Sequence, residues 1–213
     1  EAAVREAKDR VKAAIATCGY RFPVQRITCN LAPADLPKDG TRFDLAIALG
    51  ILAASEQIPA ARLEGVEVLG ELSLSGEVRT VPGTLPAALK AAHTGRALLV
   101  PAANTGEACL APGARVLAAQ HLGMLCADLH AGALAPVAFA PQPPTAEPEL
   151  DLADVRGQTQ ARRALEVAAA GGHSLLLVGP PGAGKSMLAQ RLPGLLPPMT
   201  DAEALASAAL ASL

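Results

Sequence analysis

The apolar positions of residues 1–134 switch repeatedly between helical and strand spacing. In residues 3–17, Val4, Val11 and Ile15 fall on one helical face with charged side chains opposite, which predicts a helix. Residues 24–31 alternate in the manner of a strand. The same patterns predict helices at residues 43–54, 84–93 and 121–130, and strands at residues 66–74, 78–81, 96–100 and 115–118. Strands that alternate with helices are typical of an α/β fold.

A cluster of five prolines between positions 136 and 148 interrupts this pattern. Proline-rich stretches form stiff, extended linkers because the ring fixes the backbone dihedral φ. The expected organisation is therefore a first domain at residues 1–134, a linker at residues 135–149 and a second domain at residues 150–213.

The second domain contains a complete G-x-x-x-x-G-K-S pattern, the signature of a phosphate-binding loop. The apolar run 174–178 before it predicts a buried parallel strand, and residues 187–192 after it predict a helix. Glycines let backbone N–H groups turn toward phosphate oxygens, Lys185 supplies a positive charge, and the Ser186 hydroxyl is a ligand for Mg²⁺. The predicted nucleotide-binding residues are Gly179, Pro180, Pro181, Gly182, Ala183, Gly184, Lys185 and Ser186. The pattern predicts that the chain binds ATP with Mg²⁺.

Composition narrows the remaining classes of function. Aromatic residues make up only 2% of the chain and Trp is absent, so the core must consist of Ala, Leu, Val and Ile. A net charge of −2 gives no overall basic field of the kind that attracts nucleic acid. No apolar run reaches the length of a membrane span and there is no secretory leader, so we expect a cytoplasmic protein without a membrane partner.

Cysteine and histidine positions give no metal pattern. The four cysteines contain no C-x-x-C pair, and His121, Cys126 and His130 match no zinc spacing, so reduced structural thiols are expected. The chain begins at Glu1 rather than Met and ends 28 residues after Lys185 (213 − 185 = 28). It is therefore expected to be part of a longer polypeptide.

The second domain resembles the opening of an AAA+ ATPase domain. The resemblance is carried by residues 154–158, Arg163 and the phosphate-binding loop, and it implies that Val155 and Gly157 line the adenine pocket. Residues 171–178 and 192–198 are more specifically similar to the Mg-chelatase-like branch of these ATPases.

The first domain is similar to the N-terminal domain of ComM/YifB-type Mg-chelatase-like proteins. Segments 26–40, 43–52, 70–76 and 99–104 carry this resemblance. It implies a domain with the fold of the Lon protease catalytic domain (ribosomal S5 domain 2-like) joined to a homo-oligomeric ATPase ring, expected to be hexameric. It also implies that DNA is the substrate, remodelled by branch migration during natural transformation.

Three alternatives to a DNA-remodelling ATPase follow from the same residues. An active Lon-type protease needs a serine nucleophile and a lysine base, but Arg42 occupies the first position and Leu85 the second, with Lys90 a poor substitute. A magnesium-chelatase ATPase subunit and a nucleotide-binding fragment without turnover both remain open. No catalytic residue is identifiable, because neither a Walker B acid nor an arginine finger can be recognised in the chain.

Overall fold

The computed structural model of the protein describes residues 2–31, 40–138 and 150–213, with side chains from residue 7 onward. The chain divides into two compact units, one made of Glu1–Ala140 with Ala202–Leu213 and the other of Pro141–Asp201. The described helices are α1 (Ala2–Thr17), α2 (Asp44–Ala54), α3 (Thr84–His93), α4 (Thr105–Ala108), α5 (Leu122–Ala131), α6 (Thr159–Gly171), α7 (Lys185–Ala189) and α8 (Asp201–Ala211). The strands are β1 (Val66–Val68), β2 (Glu71–Leu72), β3 (Val78–Arg79), β4 (Ala97–Pro101) and β5 (Arg115–Ala119).

A parallel three-stranded sheet in the order β1-β4-β5 forms the centre of the first unit. All five residues of β4 are buried, as expected for a parallel strand covered on both faces. Leu99 packs into one apolar cluster with α1, α2 and α5, whereas Leu98 and Val100 pack into a second cluster with α3. The α/β class predicted from the sequence is confirmed.

The predicted strand at residues 66–74 is divided in two at Gly70. A Cβ atom on Gly70 would lie 3.0 Å from Leu45 Cδ2 and 3.0 Å from Val78 Cγ1, so a larger residue here would push against α2 and the neighbouring strand. Residues before Gly70 pair with β4, and residues after it pair with β3 in an antiparallel hairpin. The chain therefore leaves the parallel sheet and enters the hairpin at a glycine that passes close to Leu45 and Val78.

The prediction of a strand at residues 24–31 is wrong. These residues are assigned to no strand, Val24 is fully exposed and Ile27 is 40% exposed. A strand is stabilised by the hydrogen bonds of a neighbour, and no described residue forms a ladder with this segment. The alternating apolar pattern of residues 24–31 therefore does not produce a strand in this structure.

A buried ion pair joins the first two helices. Arg10 on α1 donates to both carboxylate oxygens of Asp44 on α2, at 2.8 Å from Nε and 3.3 Å from Nη2. Asp44 is only 1% exposed, and its Oδ2 also accepts from the Leu72 amide at 3.5 Å. The carboxylate therefore links α1, α2 and the hairpin.

Within the described parts of the chain, no helix combines the length and the apolar character that a bilayer crossing requires.

Candidate functional site

The second unit places the phosphate-loop sequence on a small apolar base. Leu152, Val155, Leu165 and Leu188 are each at most 4% exposed and form one cluster. They come from the segment before α6, from α6 itself and from α7. The cluster therefore holds the segment before α6 against the helix that follows the loop.

The loop has the backbone conformations that its glycines predict. Gly182 and Gly184 have φ values of +79° and +78°, in the left-handed region that glycine adopts without strain. The Ala183 amide donates to the Pro180 carbonyl at 3.3 Å, which closes a turn inside the loop. Helix α7, which follows, has only five residues. Because so few peptide units are aligned, its dipole is weak. The groups of this site that can attract an anion are therefore mainly the loop amides and Lys185.

Lys185 lies across the loop in this structure. Its Nζ donates to the Gly179 carbonyl at 2.8 Å and to the Pro180 carbonyl at 2.7 Å. An ammonium group has three donors, so one remains for a ligand without rearrangement. Its charge is thus placed at the loop, and a phosphate group would compete with the two carbonyl oxygens only for the second and third donors. The Ser186 side chain, the predicted Mg²⁺ ligand, is exposed.

The strand predicted immediately before the loop is wrong for this structure. Residues 174–178 are assigned to no strand, and both Leu176 and Val178 are 85% exposed. A buried parallel strand needs neighbours on both sides, and no described residue pairs with this segment. Only Leu177 packs against the apolar cluster under the loop.

The two residues predicted to line an adenine pocket lie in different environments. Val155 is 2% exposed and its side chain belongs to the apolar cluster. Gly157 is exposed, with φ at +72° and open space where a Cβ would be. Their contact with a base stays a prediction.

Sequence reasoning missed two residues that tie the preceding segment to the loop. Gln158 has φ at +49°, a left-handed conformation rare for a side chain larger than Asn, and its Nε2 donates to the Ala183 carbonyl at 3.4 Å. Arg191 donates from Nε to the Asp151 carbonyl at 2.9 Å and from Nη1 to the Met187 carbonyl at 2.9 Å. Neither contact has a signal in the sequence, since each depends on how the backbone turns.

Gly184 is expected to be more sensitive to substitution than Gly182, although their φ values are nearly equal. A left-handed conformation costs an L-residue roughly 1–2 kcal/mol at either position. Only at Gly184 does a new Cβ meet neighbours, the side-chain ends Gln158 Nε2 at 2.7 Å and Met187 Cε at 3.3 Å, and moving Gln158 aside would break its hydrogen bond to the Ala183 carbonyl. Gly184→Ala should therefore lower the midpoint of thermal unfolding, followed by calorimetry without ligand, further than Gly182→Ala. Equal shifts for both variants would contradict this contact.

The residues at the positions of the Lon-type nucleophile and base make packing or backbone contacts, or are exposed on a helix. Leu85 is fully buried in the second apolar cluster of the first unit, and Lys90 is exposed on α3. The Arg42 carbonyl accepts from the Gly70 amide at 2.9 Å, and its guanidinium lies near Gly83. An apolar, fully buried side chain offers no base at the position that Leu85 occupies.

The side chains of His121 and His130 bond to backbone atoms, whereas the Cys126 thiol bonds to the Tyr20 side chain. His121 Nδ1 accepts from the Gly123 amide at 3.1 Å and caps α5, while His130 Nδ1 lies 2.7 Å from the Cys126 carbonyl. Among the described residues, no group of three or more His, Cys, Asp or Glu could hold a metal ion. Burial raises the pKa of the Cys126 thiol to about 11.

Cys126 should resist alkylation in the native protein. With a pKa of about 11, its thiolate is scarce at pH 8, whereas an ordinary thiol with pKa near 8.5 is partly ionised. Cys126 is also fully buried, and Cys29 is exposed. Iodoacetamide at pH 8 is expected to label Cys126 at least about 100-fold more slowly than Cys29, as followed by peptide mass spectrometry. Urea should abolish the difference, and comparable native rates would contradict the prediction.

Comparison with known proteins covers both parts of the chain. Residues 1–104 match a family described as subunit ChlI of Mg-chelatase, and residues 151–213 match one described as magnesium chelatase, subunit ChlI. Over its whole length the chain is 51% identical to protein YifB of Salmonella typhimurium, 49% to YifB of Escherichia coli and 47% to the competence protein ComM of Haemophilus influenzae. It spans 42%, 42% and 43% of the lengths of these relatives, respectively.

Proposed function

Because the chain belongs to the ComM/YifB-type Mg-chelatase-like proteins, we propose that it is the ATP-binding part of an ATPase that remodels DNA. The main support for ATP binding is the loop 179–186, which has two glycines with left-handed φ values and the Lys185 ammonium hydrogen-bonded to it. We place a Lon-protease-like domain at residues 1–134, a linker at 135–149 and the beginning of an AAA+ domain at 150–213.

The residues of the loop fit a triphosphate. The segment 179–186 contains no carboxylate, so no side chain within it repels an anion. Lys185 would bind phosphate oxygens by charge-assisted hydrogen bonds, which are roughly twice as strong as neutral ones. Ser186 would hold Mg²⁺, and the metal, when bound, neutralises charge on the β- and γ-phosphates. Val155 and Gly157 would contact the base.

The DNA part of the proposal has separate support. One relative of 47% identity is named as a competence protein, and competence is the state in which a bacterium takes up DNA. Members of this family are expected to act as rings, so the whole protein would form a homo-oligomer, expected to be hexameric, in the cytoplasm. Turnover would further require an acidic residue and an arginine that the loop segment does not supply.

The direct test is ATP hydrolysis by the whole protein, with and without branched DNA. We expect hydrolysis that branched DNA stimulates, and its loss in a Lys185→Ala variant. Hydrolysis that DNA leaves unchanged would overturn the DNA claim while preserving the ATPase. Stimulation by a porphyrin with Mg²⁺ instead would favour a chelatase subunit, the second candidate, since both matched families are described as subunit ChlI of magnesium chelatase.

The 213-residue chain itself is expected neither to hydrolyse ATP nor to form a stable ring. Steady-state phosphate release and light scattering measure both properties. Phosphate release that Lys185→Ala abolishes would show that the chain contains all the groups that turnover needs.

A further inference from the structure

Gln158 lies against the peptide bond that joins Ala183 to Gly184. Its Nε2 donates to the Ala183 carbonyl at 3.4 Å. The same atom lies 2.7 Å from the point where a Cβ on Gly184 would be, so the carboxamide covers this part of the loop. The contact therefore involves both residues of one peptide plane.

The orientation of that plane decides where an amide donor points. In a trans peptide the C=O and N–H groups point in opposite directions. Holding the Ala183 carbonyl toward Gln158 therefore turns the Gly184 N–H away from Gln158. Within the described residues no backbone carbonyl accepts from this N–H, which makes it a candidate donor for an anion.

The Gln158 backbone is held in a conformation that needs support. Glu56 and Gln158 are the two residues other than glycine with positive φ in the described parts of the chain. Such strain costs of order 1–3 kcal/mol and persists at sites where the surroundings fix it. Arg191 anchors the start of the same segment, because its Nε donates to the Asp151 carbonyl at 2.9 Å and its Nη2 lies 3.8 Å from the Asp154 carboxylate.

We propose that Gln158 is a positioning residue that fixes the Ala183–Gly184 peptide and so aims the Gly184 N–H at a phosphate group in the loop. This inference rests on the proposed function, because it assigns a role within the same phosphate site. Gln158 acts through the peptide it holds, and the phosphate-binding atoms are those of the loop. The glutamine preorganises one donor before the ligand arrives.

The test compares glutamine variants in their affinity for inorganic tripolyphosphate. Loss of one positioned hydrogen bond should weaken binding by about 3- to 10-fold in Gln158→Ala, as measured by isothermal titration calorimetry. Gln160→Ala is the matched control, since Gln160 is an exposed glutamine on the first turn of α6. It should bind tripolyphosphate like the wild type.

A glycine variant separates positioning from folding. Gln158→Gly removes the carboxamide but also relieves the left-handed strain, so its unfolding temperature should not fall below that of the wild type. Its tripolyphosphate affinity should nevertheless fall as in Gln158→Ala. A purely structural role would make affinity follow stability.

The outcomes distinguish this inference from the function on which it rests. Wild-type chain that binds tripolyphosphate, together with Gln158 variants of unchanged affinity, would overturn the positioning role alone. Wild-type chain that binds neither tripolyphosphate nor Mg-ATP would overturn the proposed function and the positioning role together.

Discussion

Replacing Lys185 with alanine is expected to lower the affinity for Mg-ATP by at least about 100-fold, or about 2.7 kcal/mol. The physical reason is the loss of a positive charge beside a triphosphate. Two unit charges 4 Å apart interact by about 4 kcal/mol near a protein surface, and a hydrogen bond to a charged group contributes about 1.5–3 kcal/mol. Lys185 is bonded to the Gly179 and Pro180 carbonyls, so its charge is already at the loop.

The variant should fold normally, which makes its binding defect interpretable. The bonds that Lys185 makes to the loop carbonyls are solvent-exposed, and exposed polar contacts contribute little to stability. Lys90→Ala is the control, because Lys90 is an exposed lysine on α3. Fluorescence anisotropy with a labelled ATP analogue measures both affinities. Equal affinities for the two variants would show that the ligand does not bind at the loop.

Replacing Arg10 with alanine should destabilise the first unit by about 3–5 kcal/mol. The substitution leaves the Asp44 carboxylate, which is 1% exposed, without the guanidinium that binds both of its oxygens. A buried charge without its partner is far more costly than the pair itself is favourable. Replacing both residues by apolar ones, Arg10→Met with Asp44→Leu, should therefore recover much of the loss.

Tyr20 provides a specific probe for that measurement. It is the single tyrosine in a chain without tryptophan, and it packs against the apolar cluster that contains α1 and α2. Urea unfolding followed by its fluorescence reports on the first unit. Arg79→Ala is the control, since Arg79 is 60% exposed and 3.7 Å from Glu71, and it should change stability by less than about 1 kcal/mol. A similarly small effect of Arg10→Ala would contradict the buried-pair account.

Sequence patterns correctly predicted the elements whose conformation depends mainly on residues within the element itself. The helix at residues 84–93 matches α3 at both ends, because its apolar face is complete and Gly95 follows it. The positive φ values of the glycines in the phosphate-binding loop were also predictable, since φ is a property of a single residue. The segments 24–31 and 174–178 were predicted as strands and are not, because a strand also depends on neighbours that its own sequence does not specify.

The contacts around the loop lay beyond sequence prediction for a different reason. Gln158 acts through an unusual backbone angle, and Arg191 through carbonyls of residues up to 40 positions away. Carbonyls are present at every residue, so no side-chain pattern marks which of them will accept a bond. Val155 shows the same limit, since the sequence could not tell that its side chain would join the buried cluster.

The most direct test of the central claim is to map where Mg-ATP binds, using backbone amide shifts of the ¹⁵N-labelled chain. We expect saturable shifts concentrated at residues 179–186, with the largest changes at Gly182, Gly184 and Lys185, and their loss in Lys185→Ala. Shifts confined to the lysines of α1, or no saturable shift at all, would contradict the assignment of the loop as a nucleotide site.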